Sequence, residues 1–403
     1  MSIFAIVFRS LRQHLLSTLV TAVSVALAGG LLLTVWVVKT QSQAAFTGVN
    51  AGFDAVLGAR GSQLQLVLNS IFHLEASPGN VEWQDFLEIQ NNPDVELAVP
   101  LAVGDNFHGW RIVGTTPDLF NASEYAPGKK FELYPGGKWF DPVRRAAVVG
   151  SFAAEKLKLK VGDKFHPFHG LIYDEHKQHA ETYVVVGRLK PSNTPADRVI
   201  WIPLEGIQRM SGHDPANATE VSSVLVKLKA ESAIAGFQLD TFYNKQGRRL
   251  TFAWPIGRVM AELFSKIDWF DRVLTLVAWL VALVATSSIL ASIYNSMNER
   301  RRELAILRAL GARRVTVFTV IVLEAATISA LGVILSFGVY LVLTSGVAEI
   351  IRTETGVVLE PFAFNPVMLW APAVFIALGA LAGIVPAVKA YRTDVARNLT
   401  PHS

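Results

Sequence analysis

The sequence predicts an α-helical membrane protein with four transmembrane helices and a mixed α/β extracytoplasmic domain inserted on a helical stalk. Three observations support this fold class. The 403-residue chain is 51% hydrophobic and 17% charged, with a mean hydropathy of +0.35. Four apolar runs are each long enough to cross a bilayer. About 230 residues of ordinary soluble composition separate the first run from the second, enough for one large or two small domains.

The four predicted spans are uncharged except for Glu324 in the third. An N-terminal segment precedes them and is either an interfacial helix lying on the inner membrane surface or an extension of the first span. In chain order, the predicted parts are this segment (1–14), span one (15–38), the α/β domain with its stalk helices (39–270), span two (273–298), a short basic segment (299–314), span three (315–348), span four (362–388) and a tail (389–403).

The distribution of Lys and Arg predicts the orientation of the chain. Basic residues precede span one, are frequent in residues 299–314 and follow span four. The loop between spans three and four instead has one arginine and three glutamates. Because positive loops stay on the cytoplasmic side, both termini are expected inside and residues 41–270 outside. These segments account for the formal charge of +4 without a nucleic-acid partner. The chain has no cysteine, which excludes disulfides and thiol chemistry.

The extracytoplasmic domain is expected to mix helices and strands. Residues 41–75 are predicted to be helical near the membrane, and residues 258–272 form a helix that leads into span two. Two further helices are predicted at 81–91 and 152–159. Runs rich in Val and Ile, ended by Gly, Pro or polar residues, predict strands at 110–114, 146–150, 183–187, 198–202 and 223–228.

The basic segment 299–314 is the most informative stretch of the chain. Its six arginines and two glutamates give a net charge of +4, and Leu304, Leu307 and Leu310 recur at helical spacing. Gly311 suits a helix C-terminal cap, with Arg313 following where positive charge favours a helix end. These features predict a short amphipathic helix that presents itself to a groove on a partner. The alternative is an ordinary basic cytoplasmic loop.

A histidine-rich loop is the one pattern that suggests a metal. It holds His166, His169, His176 and His179 within fourteen residues, with Asp174 and Glu175 between the pairs. Two H-x-x-H pairs can supply three or four ligands to Zn²⁺ or a similar ion. The alternative is a polar hairpin loop whose histidines are simply solvated.

Two features of the spans concern packing. Glu324 is a carboxylate inside span three, where a charge is costly, so it is either functional or a hydrogen-bonded packing residue. Gly379 and Gly383 form a G-x-x-x-G pattern in span four that suits close helix packing, within the subunit or across a dimer.

No Ser/His/Asp or paired-carboxylate arrangement indicates an enzyme active site.

With these motifs in view, the chain resembles a permease subunit of the MacB/FtsX/LolC family of ABC transporters. The segment ERRRELAILRALGARR is similar to the family pattern E-R-x-x-E-I-x-x-x-R-A-x-G-A, with Leu304 where the family often has Ile. Glu324 in the LEA triplet matches a family glutamate, and Pro386–Ala387 with Ala390 and Tyr391 resembles the end of the family's fourth span. The usual proline of the tail is missing. AVVGSFAAEKLKLKVGDKF followed by YVVVGRL is similar to the family's first-loop domain, so the resemblance covers essentially the whole chain.

This resemblance implies a bacterial inner-membrane permease that works as a homodimer on a dimer of ATPase subunits, with a possible periplasmic adaptor or binding protein. The chain contains no G-x-x-x-x-G-K-[ST] loop, so it is expected to bind no cofactor, with ATP on the partner subunit. Residues 299–314 would then be the coupling helix. The residues expected to couple to the ATPase are Glu299, Arg300, Arg302, Glu303, Leu304, Leu307, Arg308 and Gly311.

Three functions fit these expectations. The first is a non-enzymatic permease that couples ATP hydrolysis to motion of its periplasmic domain, for export, extraction or mechanotransmission. The second is a transmembrane regulator of a periplasmic enzyme or binding protein. The third, suggested only by the histidine loop, is a zinc-linked transport system.

Overall fold

The computed structural model describes residues 3–213, 218–230, 234–299, 306, 308–309 and 311–391, with only the backbone at 271, 298 and 299. The chain divides into two compact units. The helical unit comprises Met1–Gln41, Asp268–Glu349 and Glu360–Ser403, and the sheet unit comprises Ser42–Ile267 and Ile350–Leu359.

The described helices and strands are numbered here along the chain. The α-helices are α1 (Ile3–Gln13), α2 (Leu15–Gly48), α3 (Gln63–Ser70), α4 (Trp83–Gln90), α5 (Asp118–Asn121), α6 (Ser151–Leu157), α7 (Leu204–Gln208), α8 (Ala235–Asp240), α9 (Ile256–Glu299), α10 (Arg314–Thr355) and α11 (Val367–Tyr391). The strands are β1 (Ala55–Ala59), β2 (Val81–Glu82), β3 (Val95–Phe107), β4 (Trp110–Thr115), β5 (Ala146–Val149), β6 (Lys164–Phe165), β7 (Phe168–His169), β8 (Tyr183–Arg188), β9 (Ile200–Pro203), β10 (Glu220–Val221), β11 (Ser223–Leu228) and β12 (Leu250–Ala253).

Among the described residues, the helical unit contains four helices long and apolar enough to span a membrane: α2, the Arg272–Met297 part of α9, α10 and α11. Small residues bring these helices together, because a bilayer supplies little hydrophobic drive between helices. A Cβ at Gly30 would lie 2.6 Å from Val339 on α10, and one at Gly332 would lie 2.5 Å from Val25 on α2. Trp36 and Trp370 also meet edge to face, with ring centroids 5.5 Å apart.

The sheet unit is built on one mixed sheet in the order β12-β1-β11-β3-β4-β9-β5-β8-β6, with β7 paired to β3. Most neighbours are antiparallel, and the parallel pairs are β4 with β9 and β5 with β8. Its core consists of aliphatic and aromatic side chains, because removing apolar surface from water is favourable. Leu57, Ile112, Phe252 and Tyr183 are among its fully buried side chains.

The fold class predicted from the sequence is confirmed, but residues 41–75 were wrongly predicted to be helical throughout. The helix ends at Gly48, and β1 at Ala55–Ala59 lies between β12 and β11 in the sheet. Because β1 is buried almost throughout, it lacks the polar alternation that marks a half-exposed strand. Strands β3 and β12 were not predicted, and β9 begins at Ile200, after a 3₁₀ turn at Pro195–Arg198.

Candidate functional site

The structure separates the four histidines of the predicted metal loop. The His166 ring approaches the Glu181 carbonyl at 3.1 Å, and the side chain of His176 is 86% exposed beside Glu175. His169 and His179 instead face each other, with ring centroids 5.4 Å apart. The histidine set proposed from the sequence is therefore not the set that the fold assembles.

His169 and His179 join two residues that sequence reasoning did not select, Asp105 and His213. Oδ1 of Asp105 lies 3.2 Å from Nε2 of His179, 3.1 Å from Nε2 of His213 and 3.6 Å from Nδ1 of His169. One side-chain donor atom from each of the four residues lies within 4.8 Å of the others. Three imidazoles and one carboxylate therefore converge on one point.

Local chain geometry places each member of this cluster. Asp105 follows an irregularity in the β3–β4 pairing after Val103, and it pairs with His169 where the short β7 adds to β3. The N–H of His179 donates to the Pro167 carbonyl at 2.9 Å, which brings the far end of the histidine loop back to β7. His213 lies in the segment between α7 and β10. The cluster thus unites three separate stretches of the chain.

Two of the imidazoles are held from behind by backbone carbonyls. Nδ1 of His179 lies 2.6 Å from the Ser211 carbonyl, and Nδ1 of His213 lies 2.8 Å from the Ile207 carbonyl. The Glu181 carboxylate in turn accepts hydrogen bonds from the Ser211 N–H at 3.0 Å and hydroxyl at 2.7 Å. This support fixes the direction in which the Nε2 atoms point, toward Asp105.

The cluster perturbs its own protonation. Burial alone would raise the pKa of Asp105, but hydrogen bonds to His179 and His213 outweigh burial and leave that pKa lowered. Burial opposes protonation of His179, yet the contact with Asp105 raises its pKa overall. The pKa of His213 is raised, chiefly by its hydrogen bond with Asp105, whereas burial lowers the pKa of His169. The site therefore favours positive charge next to the carboxylate.

The cluster borders a cavity of about 220 Å³, lined by His169 and His213 together with the polar side chains of Asn80, Gln208 and Glu220. Asp105 is fully buried, His179 is 6% exposed, and His169 is exposed. The cluster is thus reachable from one side. The available sequence signal was Asp105 itself, because strands disfavour aspartate and β3 is otherwise largely apolar. His213 carries no local signal.

Most of the segment predicted to couple to an ATPase lies outside the described residues, including Arg300, Arg302, Glu303, Leu304 and Leu307. Of Glu299, only the backbone is described, at the end of α9. Ile306, Arg308 and Ala309 are described as helical. Gly311 has φ +98°, a left-handed conformation that favours glycine, and α10 begins three residues later. The two long helices α9 and α10 therefore flank the segment directly.

The polar and packing residues predicted in the spans lie inside the helical unit. Glu324 is 5% exposed and accepts a hydrogen bond from Ser10 Oγ at 2.5 Å. A Cβ at Gly379 would lie 1.7 Å from Oγ of Ser329, and one at Gly383 would lie 2.7 Å from Cβ of Ala325. The G-x-x-x-G pattern therefore packs α11 against α10 within one chain.

Family comparisons agree with this architecture. Residues 14–239 match the model of the MacB-like periplasmic core domain, and residues 275–395 match that of the FtsX-like permease C-terminal region. The first match alone covers more than half of the chain. The chain belongs to the MacB/FtsX permease family. As a MacB/FtsX-type permease, it is a membrane protein of the ABC transporter class, with four candidate membrane helices and an α/β domain.

Individual relatives of this permease are distant. It is 25% identical over 409 residues to the macrolide export ATP-binding/permease protein MacB of Brucella melitensis, covering 95% of this chain. The permease spans 58% of the length of that relative. The lipoprotein-releasing system transmembrane protein LolC of Haemophilus influenzae is 22% identical over 360 residues, covering 85% of this chain and 87% of LolC.

Among solved structures, the periplasmic region of MacB from Actinobacillus actinomycetemcomitans aligns with a TM-score of 0.36 and 11% identity. The alignment covers 55% of this permease and 94% of that region.

Proposed function

We propose that this chain is the membrane subunit of an ABC transporter and couples ATP hydrolysis by a separate ATPase subunit to motion of its α/β domain. The observation that carries the proposal is chain continuity. Helices α2, α9 and α10 each begin in one unit and end in the other. Residues 299–314 join α9 to α10, so a displacement there acts on two helices that both continue into the sheet unit.

The family match supports this role for the basic segment, because the FtsX-like match at residues 275–395 includes it. MacB is named as an ATP-binding/permease protein, whereas LolC is named as a transmembrane protein. The present chain matches 87% of LolC and lacks a G-x-x-x-x-G-K-[ST] loop, which favours an ATPase on a separate subunit. A second copy of the permease completes the proposed assembly.

The proposed location is the bacterial inner membrane, with residues 299–314 and both termini in the cytoplasm and residues 41–270 in the periplasm. Single cysteines test this on a chain that has none. Val143, which is 87% exposed in the sheet unit, is replaced by Cys in one variant and Arg313 in another. In spheroplasts, an impermeant thiol reagent should label V143C and spare R313C until the membrane is permeabilised. The reverse pattern would refute the orientation.

Two variants test coupling through the basic segment. Glu303→Lys reverses a charge on the proposed docking surface, where a mispaired charge costs several kcal/mol, on the order of 2–5. Gly311→Val places a β-branched residue at φ +98°, which costs on the order of 1 kcal/mol or more. Both variants should insert normally but lose co-purification of the ATPase that accompanies the wild-type chain, or lose ATPase-driven activity.

Gly128→Val is the matched control for Gly311→Val. Gly128 also has a positive φ, +71°, and has open space around it, but it lies in the sheet unit. G128V should bear a similar local strain and keep the ATPase bound. Wild-type ATPase binding and activity in both E303K and G311V would show that residues 299–314 are only a basic loop.

A further inference from the structure

The cluster of Asp105, His169, His179 and His213 contains a conflict between hydrogen-bond acceptors. Nδ1 of His179 and Nδ1 of His213 each face a backbone carbonyl, which only accepts, so Nδ1 must carry the proton. In the neutral imidazole, Nε2 then has a bare lone pair. Both Nε2 atoms point at Oδ1 of Asp105, which is also an acceptor. The positive species that resolves this conflict is either a second proton on Nε2, which then donates to Asp105, or a cation bound between the Nε2 atoms and Oδ1.

The distances fit a metal ion as that species. A tetrahedral Zn²⁺ with ligands at roughly 2.0–2.1 Å has ligand–ligand edges of about 3.3–3.4 Å. The three contacts of Oδ1 of Asp105 with the imidazole nitrogens are 3.1, 3.2 and 3.6 Å. The three rings are mutually close to equidistant, with centroids 5.1–5.4 Å apart. These spacings are those of donors arranged around a common centre.

The second layer of contacts also matches a metal site. Histidine ligands to metals usually donate their other N–H to a carbonyl or carboxylate, which orients the ring. His179 and His213 both do so, and Glu181 holds Ser211, the residue whose carbonyl orients His179. The remaining carboxylate oxygen of Asp105, Oδ2, is buried and has no hydrogen-bond partner among the described residues. An ordinary solvated histidine loop has none of these features.

We propose that Asp105, His169, His179 and His213 bind one Zn²⁺ ion in the sheet unit. Three neutral imidazoles and a carboxylate are donors of intermediate softness, which suit Zn²⁺ better than Mg²⁺ or Ca²⁺. Four protein ligands fill a tetrahedron, so the ion has a binding role and no open position for catalysis. His169 and His213 border the 220 Å³ cavity and provide the path by which the ion enters.

Zinc at this position would tie together three segments that are distant in sequence. Asp105 belongs to β3, His169 and His179 enclose the loop after β7, and His213 belongs to the segment between α7 and β10. The ion would thus anchor the segment after α7 to the sheet. The site requires only the fold of the sheet unit and is independent of coupling to an ATPase.

The test uses the full chain in detergent, purified without a polyhistidine tag and stripped of metal with a chelator. Bound zinc is counted by elemental analysis, and Zn²⁺ is titrated while the melting temperature is followed. The wild type should bind one equivalent and melt at a higher temperature with Zn²⁺, because ligand binding to the native state stabilises it. Co²⁺ should give the visible absorption of a tetrahedral site. Mg²⁺ should give neither response.

Variants separate the cluster from the rest of the histidine loop. His169→Ala and His213→Ala should weaken zinc binding more than about tenfold and abolish the cobalt spectrum, and Glu181→Gln should weaken binding by about tenfold. His166→Ala and His176→Ala are the matched controls from the same loop and should bind as the wild type does. His169 is exposed, so H169A is expected to fold even if H213A does not. A wild type without bound zinc, or an H169A variant with wild-type affinity, would overturn the proposal.

Discussion

The helical unit and the sheet unit solve the packing problem with different residues. In the helical unit, glycines at 29, 30, 332, 379 and 383 meet neighbouring helices so closely that a Cβ would lie 1.7–3.0 Å from another side chain. In the sheet unit, large side chains such as Phe252, Leu57 and Tyr183 fill the interior. Glycines there meet large side chains as well, since a Cβ at Gly58 would lie 2.2 Å from Leu66 and one at Gly236 would lie 2.0 Å from Trp254, whereas the helical-unit glycines meet Ser, Ala and Val. The difference follows from the solvent. In water, burial of large apolar groups is favourable because it removes them from the solvent. In lipid this driving force is absent, so helices associate mainly through the van der Waals contacts that small residues allow.

The two units also differ in how they use polar side chains. In the helical unit, most described hydroxyls donate to a carbonyl of their own helix, as Thr21 does to Ser17 and Thr286 to Ala282. In the sheet unit, buried carboxylates connect distant segments, as Asp105 does with three histidines. Local pairing keeps each helix independent, while long-range pairing specifies one tertiary arrangement.

The largest expected effect lies in the core of the sheet unit. Phe252→Ala removes a fully buried ring that stacks on Tyr243 with centroids 5.8 Å apart, and should cost about 3–5 kcal/mol of unfolding free energy. Phe237→Ala is the control, because Phe237 is 57% exposed, and should cost less than about 1 kcal/mol. Denaturant unfolding of the full chain measures both. Equal losses would mean that burial does not determine stability in this unit.

The same comparison in the helical unit uses valine at two glycines. Gly379→Val places a Cβ within 1.7 Å of Oγ of Ser329 and should cost about 1–3 kcal/mol or prevent assembly of α11 on α10. Gly338→Val adds the same side chain where nothing lies within 4 Å and should be tolerated. Yield of monodisperse protein and melting temperature in detergent distinguish the two. A tolerated G379V would show that α10 and α11 do not need close approach.

Acid should destabilise the sheet unit through His73. Burial, followed by the charges of Arg111 and Arg198, lowers the pKa of His73 from 6.5 to about 3. The unfolded chain therefore takes up this proton first, and stability falls as pH drops from 6.5 toward 3. The loss should reach about 2 kcal/mol at pH 5.

His73→Asn tests this effect because asparagine tolerates the left-handed backbone at His73, where φ is +55°. The pH dependence of the melting temperature should be shallower in H73N than in the wild type. His176→Asn, at an 86% exposed side chain, should leave the slope unchanged. An unchanged slope in H73N would assign the acid sensitivity to other groups.

The smallest expected effect concerns the hydrogen bond from Ser10 to Glu324 in the helical unit. A double-mutant cycle with Ser10→Ala and Glu324→Ala should give a coupling energy of roughly 0.6–1.7 kcal/mol, from the average to the largest value found between membrane helices. Ser24→Ala removes a hydroxyl that bonds its own helix at Val20 and should show no coupling to Glu324. A coupling of several kcal/mol would mean that this polar contact, and not glycine packing, dominates the unit.

Much of the fold was predictable because its signals are local. The four apolar runs, the helix before span two and strands such as Ser223–Leu228 follow from composition and periodicity alone. The positive φ of Gly311 was predicted from its position after a periodic run. Strand β1 was missed because it is buried on both faces, so its residues show no alternation. The candidate metal cluster was half predicted, since His169 and His179 belong to a visible pattern.

The sequence by itself determined the class of this protein, its four apolar helices and its membership of a permease family. These features are carried by runs of neighbouring residues. Only the tertiary structure decided that Gly379 packs within the chain and that Asp105 and His213 join His169 and His179 while His166 and His176 do not. The pairing of β7 with β3 and the return of the segment after α7 bring these residues together. Such contacts depend on strand register and loop closure across 108 residues, which no local pattern records.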